Sequence, residues 1–176
     1  MALPKVKQDA TDARLEAMSL PASGGWLKAA REAALARVRQ MGLPSRRDEY
    51  WKYTRPETLV QPDAPQAATL ATEEAPMFGE IDRVQIVFTD GVFDAAASDP
   101  LDGSGVTIER IVDVAETDIH WARDVYGLLE ARGQEPVERP LAALNTAMAT
   151  DGVLIHVSGQ AAKPVNLTYH HKSETS

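Results

Sequence analysis

Apolar residues recur at helical spacing in the first quarter of the chain and alternate in twos beyond residue 80. Leu15 and Met18, three apart after Asp12, predict a short amphipathic helix near residues 11–19. Pro21-Ala-Ser-Gly-Gly breaks it and offers Ser23 as N-cap for a second helix. From Trp26 to Met41 the period is clear. Trp26, Ala30, Ala34, Val38 and Met41 share one face, while Lys28, Arg31, Arg39 and Gln40 fall largely elsewhere. Gly42 offers the left-handed stop of that helix and Pro44 blocks its continuation.

Residues 54–79 read as a connector, because Pro56, Pro62, Pro65 and Pro76 leave no room for a long element. Glu57 to Val60 has room for a single turn. Beyond it Val84, Ile86 and Phe88 alternate with Arg83, Gln85 and Val87, and Asp90-Gly91 precedes Val92-Phe93. That is a hairpin signal, since Asp-Gly suits the tight turn whose twist matches two antiparallel strands. Val106 to Ile111, after the Gly103-Ser-Gly105 turn, is a third strand.

Two helices interrupt the β pattern. Thr117 or Asp118 caps one with Trp121, Val125, Leu128 and Leu129 on one face, ended by Gly133. Pro140 opens the next at its favoured first position, with Leu141, Leu144 and Met148 inward and Asp151-Gly152 closing it. Val153 to Val157 then forms a strand, Ser158-Gly159 a turn, and Val165, Leu167 and Tyr169 alternate with Asn166 and Thr168. The fold class is α+β. In series, residues 1–56 form a helical module and 57–79 the Pro-rich connector. Residues 80–138 form a hairpin-plus-helix unit, and 139–176 a closing helix and strands. The last strand has no covering element, so its free edge predicts self-association through residues 150–171, or a sequence cut short.

Charge sharpens the picture. Over 176 residues the net charge is −8, but residues 1–56 carry 11 Lys/Arg against 6 Asp/Glu. The remainder is strongly acidic, which argues against nucleic acid as a partner there, since phosphate contact rests on cations. The absence of cysteine excludes disulfides, thiolate nucleophiles and thiolate-ligated metal or cluster sites within this chain. No apolar run approaches the length of a membrane span or signal peptide, so the expected setting is the cytoplasm, away from membranes.

Catalytic patterns are sparse. No phosphate-cradling G-x-x-x-x-G-K-[ST] occurs, Gly103-Ser-Gly105 lacks the rest of a dinucleotide fingerprint, and no G-x-S-x-G is present. His170 and His171 point to opposite faces of a regular strand. His120, near Asp118 and Asp124, has too few partners in sequence for a three-ligand metal site.

The densest stretch is Gly42-Leu-Pro-Ser-Arg-Arg-Asp-Glu-Tyr-Trp-Lys-Tyr-Thr54. Read from its residues, it caps the preceding helix, with Trp51 and Tyr53 anchoring the loop and Arg46, Arg47, Asp48 and Glu49 in surface pairs. An alternative function is an independent protein-binding module that uses the basic helix 26–41 and the aromatic loop 50–53 on an acidic partner. A small hydrolase using paired carboxylates in the acidic half is the other rival.

This stretch resembles the signature near the start of SufD, a family of subunits of the SUF iron–sulfur cluster assembly system. Val84-Gln-Ile-Val-Phe-Thr-Asp-Gly-Val-Phe93 resembles that family's hairpin. Pro140 to Ile155 and Lys163 to His171 resemble the helix and first strands of its core. The signature residues are Gly42, Pro44, Arg46, Glu49, Trp51, Lys52 and Tyr53, with Asp90 and Gly91 in the hairpin, and all read as structural. The resemblance implies a right-handed parallel β-helix, of which residues 139–176 would be the first turns, truncated. Family members are more than twice this length. It also implies a non-catalytic scaffold component of cluster assembly and iron homeostasis, acting with SufB and SufC homologues. No cofactor is expected in this chain; the iron–sulfur cluster and ATP are handled by the wider complex. The family's cluster-handling residues lie in its C-terminal half, so no catalytic, cofactor-binding or metal-binding position is carried over.

Overall fold

The computed structural model describes residues 3–63, 66, 69, 75, 77–103 and 105–174. Its helices are α1 (Lys5–Glu16), α2 (Gly25–Met41), α3 (Glu57–Val60), α4 (Ile111–Val114), α5 (Leu128–Arg132) and α6 (Pro140–Met148). The strands are β1 (Val84–Thr89), β2 (Val92–Phe93), β3 (Asp102–Gly103), β4 (Val106–Arg110), β5 (Val153–Val157) and β6 (Val165–His170). They fall into two units, and each is built from two separated stretches of chain. The first comprises residues 1–65 and 115–149; the second comprises 66–114 and 150–176. This division interleaves the serial segments expected from the sequence, because α5 and α6 belong with the N-terminal helices. Residues 64, 65, 67, 68, 70–74 and 76 of the Pro-rich connector lie outside the described residues.

In the first unit α2 packs along α6. Ala34, Val38, Ala143 and Ala147 are fully buried, and Leu15, Leu35, Met41, Leu43 and Leu144 complete the core. The alanines at this contact let the two helices approach closely. α1 starts at Lys5, earlier than its apolar pattern shows, because a polar residue supplies part of its inner face. Thr11 is 1% exposed. Its hydroxyl donates to the Lys7 carbonyl at 2.7 Å and accepts the Leu43 N–H at 2.9 Å.

Two helix starts differ from expectation. Gly24, not Ser23, is the N-cap of α2. The next residue, Gly25, has φ +47°, and a Cβ there would lie 2.6 Å from the Thr117 carbonyl oxygen. The close approach of residues 24–25 to 115–117 therefore sets this start, rather than a hydroxyl cap. The single helix expected after Thr117 or Asp118 is instead a 3-10 turn at Trp121–Asp124 followed by α5. His120 caps that turn, its Nδ1 accepting the Ala122 N–H at 3.2 Å. Gly127, at φ +71°, then ends any continuous helix, so Val125 and Leu129 are exposed rather than inward. α6 begins at Pro140 as its sequence predicts.

The second unit holds two three-stranded sheets, ordered β2-β1-β6 and β3-β4-β5. Ile86, Phe88 and Ile108 are its buried centre, with Val84, Phe93, Val106, Val153, Ile155 and Val165 packed against them. The expected hairpin is present: Phe88 pairs with Phe93 and Thr89 with Val92. Asp90 and Gly91 both take positive φ, +49° and +80°, which a two-residue turn of this hand requires. Above β2 the edge of β1 is closed by side chains. Ser98 Oγ accepts the Val87 N–H at 2.9 Å and the Asp99 carboxylate accepts the Gln85 N–H at 2.7 Å.

The two last strands do not pair with each other. β6 runs parallel to β1 from Val84↔Val165 to Thr89↔His170, while β5 runs antiparallel to β4. The protein is thus α+β with small sheets, and the described residues form no closed barrel or solenoid. The apolar face expected at Val165, Leu167 and Tyr169 is only partly open. Val165 joins the core, Leu167 is 41% exposed, and Tyr169, 54% exposed, stacks on Phe88 with ring centroids 5.2 Å apart.

Asp90 has a second task. Its carboxylate accepts the Lys172 N–H at 2.8 Å and the Ser173 N–H at 3.0 Å, fastening the chain after β6 to the hairpin. The Ser173 and then the Lys172 backbone bonds hold its carboxyl pKa below the ordinary aspartate value. A lowered folded-state value stabilises the fastened form above the unfolded value, and that contribution is lost as pH falls through the folded one. Protection of the Lys172 and Ser173 amides, relative to their intrinsic exchange rates, should therefore fall specifically in acid. Asp90→Asn, which still tolerates positive φ, should show fast exchange at these amides across the whole pH range. Equal protection in both proteins at neutral pH would contradict this role.

Candidate functional site

The family-signature stretch is held by the end of α2 and by α1. Gly42 leaves α2 at φ +68°, and a Cβ there would lie 3.0 Å from the Lys7 side chain, which packs across it. Lys7 then reaches the Asp48 carboxylate at 3.0 Å. The same carboxylate accepts the Ser45 N–H at 2.9 Å, and Ser45 Oγ accepts the Arg47 N–H at 3.3 Å. Leu43 and Pro44 are buried beneath this turn. The stretch from Gly42 to Asp48 is therefore pinned at both ends.

Beyond Asp48 the chain makes a 3-10 turn at Glu49–Trp51. Glu49 pairs with Lys52, whose ammonium also lies 5.0 Å from the centre of the Tyr53 ring. Trp51 is half-buried and meets Tyr50 edge-on at 6.2 Å. Tyr50 is 70% and Tyr53 91% exposed, so Tyr53 does not anchor the loop as expected; Trp51 alone partly does. Arg46 and Arg47 are exposed, and neither guanidinium is in an ion pair among the described residues. Among the described residues the expected surface pairs therefore form only at Asp48 and Glu49.

Two hollows flank the loop, sharing Lys7 and Asp48 as walls. A 440 Å³ groove lies between α1, residues 43–48 and α3. A 790 Å³ hollow lies between residues 48–53 and residues 136–140. Asp90 and Gly91 belong to the second unit, where they serve the hairpin turn.

Helix α2 presents less of a basic face than expected of it: Lys28 and Arg39 are exposed, but Arg31 and Arg37 are turned into the unit. Arg37 pairs with Glu130 at 2.5 Å, and Lys28 lies one turn from Glu32 at 4.0 Å. Arg31 is 2% exposed. Its guanidinium donates to the carbonyls of Pro21 at 2.9 Å, Ala22 at 3.5 Å and Ala149 at 2.6 Å. Ala149 is the C-cap of α6, so a buried cation meets the negative end of that helix. Trp26 packs nearby, stacked on His120 at 5.9 Å and edge-on to Tyr126 at 5.8 Å. Burial pushes the Tyr126 phenol above its ordinary value, with the Arg31 charge opposing. This cluster is structural chemistry that a polar-face reading of Arg31 misses.

Among the described residues no three His, Asp or Glu side chains converge on a point that could hold a metal ion. Nor does any described helix have the length and apolarity to cross a membrane.

Comparison with known proteins gives the same direction as the signature loop. The iron–sulfur cluster assembly protein SufD of Escherichia coli (strain K12) is 31% identical over 157 residues, covering 78% of this chain and 34% of that protein. The chain therefore spans about a third of that relative's length. Residues 14–167 match the family described as the SufBD protein N-terminal region, a span that takes in the signature loop, the hairpin and β6 to Leu167. With most of the chain inside that match, the protein belongs to the SufBD N-terminal-region family and is SufD-like.

Proposed function

We propose that this chain serves as the N-terminal part of a non-catalytic scaffold component in iron–sulfur cluster assembly, acting in the cytoplasm with SufB and SufC homologues. The observation that carries the reading is the family match over residues 14–167, joined to the relative's printed role. The chain supplies a helical unit and a β unit rather than reactive groups. ATP and cluster chemistry belong to partner subunits or to other parts of the complex. In a strain lacking its SufD, the full protein carrying this segment should restore iron–sulfur enzyme activity. Failure to restore it, with normal protein levels, would sink the proposal.

The β unit supports a further part of this reading, the opening of a right-handed parallel β-helix. Its support is the six-residue parallel ladder between β1 and β6, formed by strands far apart in sequence. β6 and β5 are each the last strand of their sheet, so each has one edge that no described strand pairs. We place the next strands of such a helix on these edges. In the isolated chain a second copy takes their place, with two-fold symmetry and residues 150–171 at the contact. Sedimentation should then show dimers that Leu167→Lys weakens. A monomeric wild type, or a variant that dimerises unchanged, would contradict it.

A further inference from the structure

We propose that the groove bounded by α1, residues 43–48 and α3 docks a short apolar and acidic peptide segment of a partner protein. Its lining is largely apolar: Val6 and Ala10 from α1, Leu43 and Pro44 from the loop, and Pro56 and Val60 at α3. At 440 Å³ it falls within the ~300–1,000 Å³ range of cavities that hold ligands. Val6 is 77% exposed at its wall, an apolar side chain that the fold itself does not use.

Charge selects the occupant. Five charged residues line the groove: Lys7, Arg46, Arg47, Asp48 and Glu57. Lys7 and Asp48 neutralise each other, and the Asp48 carboxylate is further occupied by the Ser45 N–H. Glu57 contributes one negative charge in the first turn of α3. Arg46 and Arg47 remain, two adjacent guanidiniums in no ion pair among the described residues. A guanidinium grips a carboxylate through two parallel hydrogen bonds, which gives direction as well as attraction. An occupant with apolar residues one turn apart and carboxylates at the arginine end satisfies both features. The loop is braced by Lys7, Thr11 and Ser45, so the backbone that carries the two arginines is held in place before binding, which lowers the ordering cost.

This docking surface is independent of how the chain contributes to cluster assembly. It also differs from the basic-helix reading, since the cations of α2 are largely buried or paired. The test is a selection of short random peptides displayed on phage against the immobilised full chain. Enriched peptides should combine Leu, Ile or Phe with Asp or Glu. They should bind the Arg46→Glu/Arg47→Glu double variant about tenfold more weakly or worse. Raised salt should weaken binding to the wild type. Both substituted positions are exposed, so circular dichroism should be unchanged. Val6→Asp, also at an exposed site, should weaken the same peptides without altering the fold. Amide shifts on peptide addition should cluster at residues 6–10, 43–48 and 57–60. No enrichment, binding indifferent to all three substitutions, or proline-rich peptides mapping to Tyr50 and Tyr53 would overturn the proposal.

Discussion

Phe88→Ala should destabilise the β unit by about 4 kcal/mol, as for other large-to-small changes at a buried aromatic. Phe88 is 1% exposed and among the largest fully buried side chains of the protein. It joins the two sheets' core residues Ile86 and Ile108, meets Phe93 edge-on at 5.8 Å and stacks on Tyr169 at 5.2 Å. Its removal takes away a partner on both sides of β1, on β2 and on β6. Amides of β1 and β6 that exchange through opening of the unit should then exchange roughly a thousandfold faster. Phe88→Leu keeps most of the volume and should cost much less. Unchanged protection of β1 and β6 in Phe88→Ala would mean that the core lies elsewhere.

Arg31→Met should cost the helical unit about 3 kcal/mol. Hydrogen bonds from a charged donor contribute about 1.5–3 kcal/mol each, and the two short ones, to Pro21 and Ala149, carry most of the effect. The bond to Ala22 is at the limit of length and adds little. Methionine fills the space and removes the desolvation cost of a buried charge, including a buried Nε with no partner. That relief keeps the loss below the simple sum of the bonds. Arg31→Lys should recover only part, because an ammonium lacks the planar fork that serves carbonyls in two directions. Faster exchange in α2 and α6, with β4 and β5 unaffected, is the expected pattern. A methionine variant as stable as the parent would remove Arg31 from its bracing role.

The contrast between α2 and Arg31 shows what was readable in the sequence. The helix from Gly25 to Met41 was legible because alanine, valine and methionine recur at its period and Gly42-Leu-Pro44 stops it. Arg31 was not, because a charged residue ordinarily marks the solvent face. Its position was nevertheless a signal: Leu27, Arg31, Ala34, Leu35 and Val38 form one buried register. Thr11 escaped for the same reason, a polar side chain satisfied inside by two backbone groups.

The hairpin was legible because Asp90-Gly91 carries its own backbone requirement. The pairing of β6 with β1 was not, since a parallel partner is chosen by tertiary burial and leaves no local mark. Helix α5 lost its first half to Gly127, whose positive φ nothing in the apolar spacing announces. Within the candidate site, sequence alone marked the loop from Gly42 to Thr54. It did not mark the groove, because the walls come from Val6, Ala10 and Val60 on two other elements.

The central claim is that this chain is part of a SUF assembly component that works by association. Its most direct test is co-expression of the full protein carrying this segment with its SufB and SufC homologues, followed by native mass spectrometry. The account predicts a stoichiometric complex containing all three, with ATP turnover dependent on the SufC homologue. A protein that stays apart from both, or that turns over ATP by itself, would contradict it.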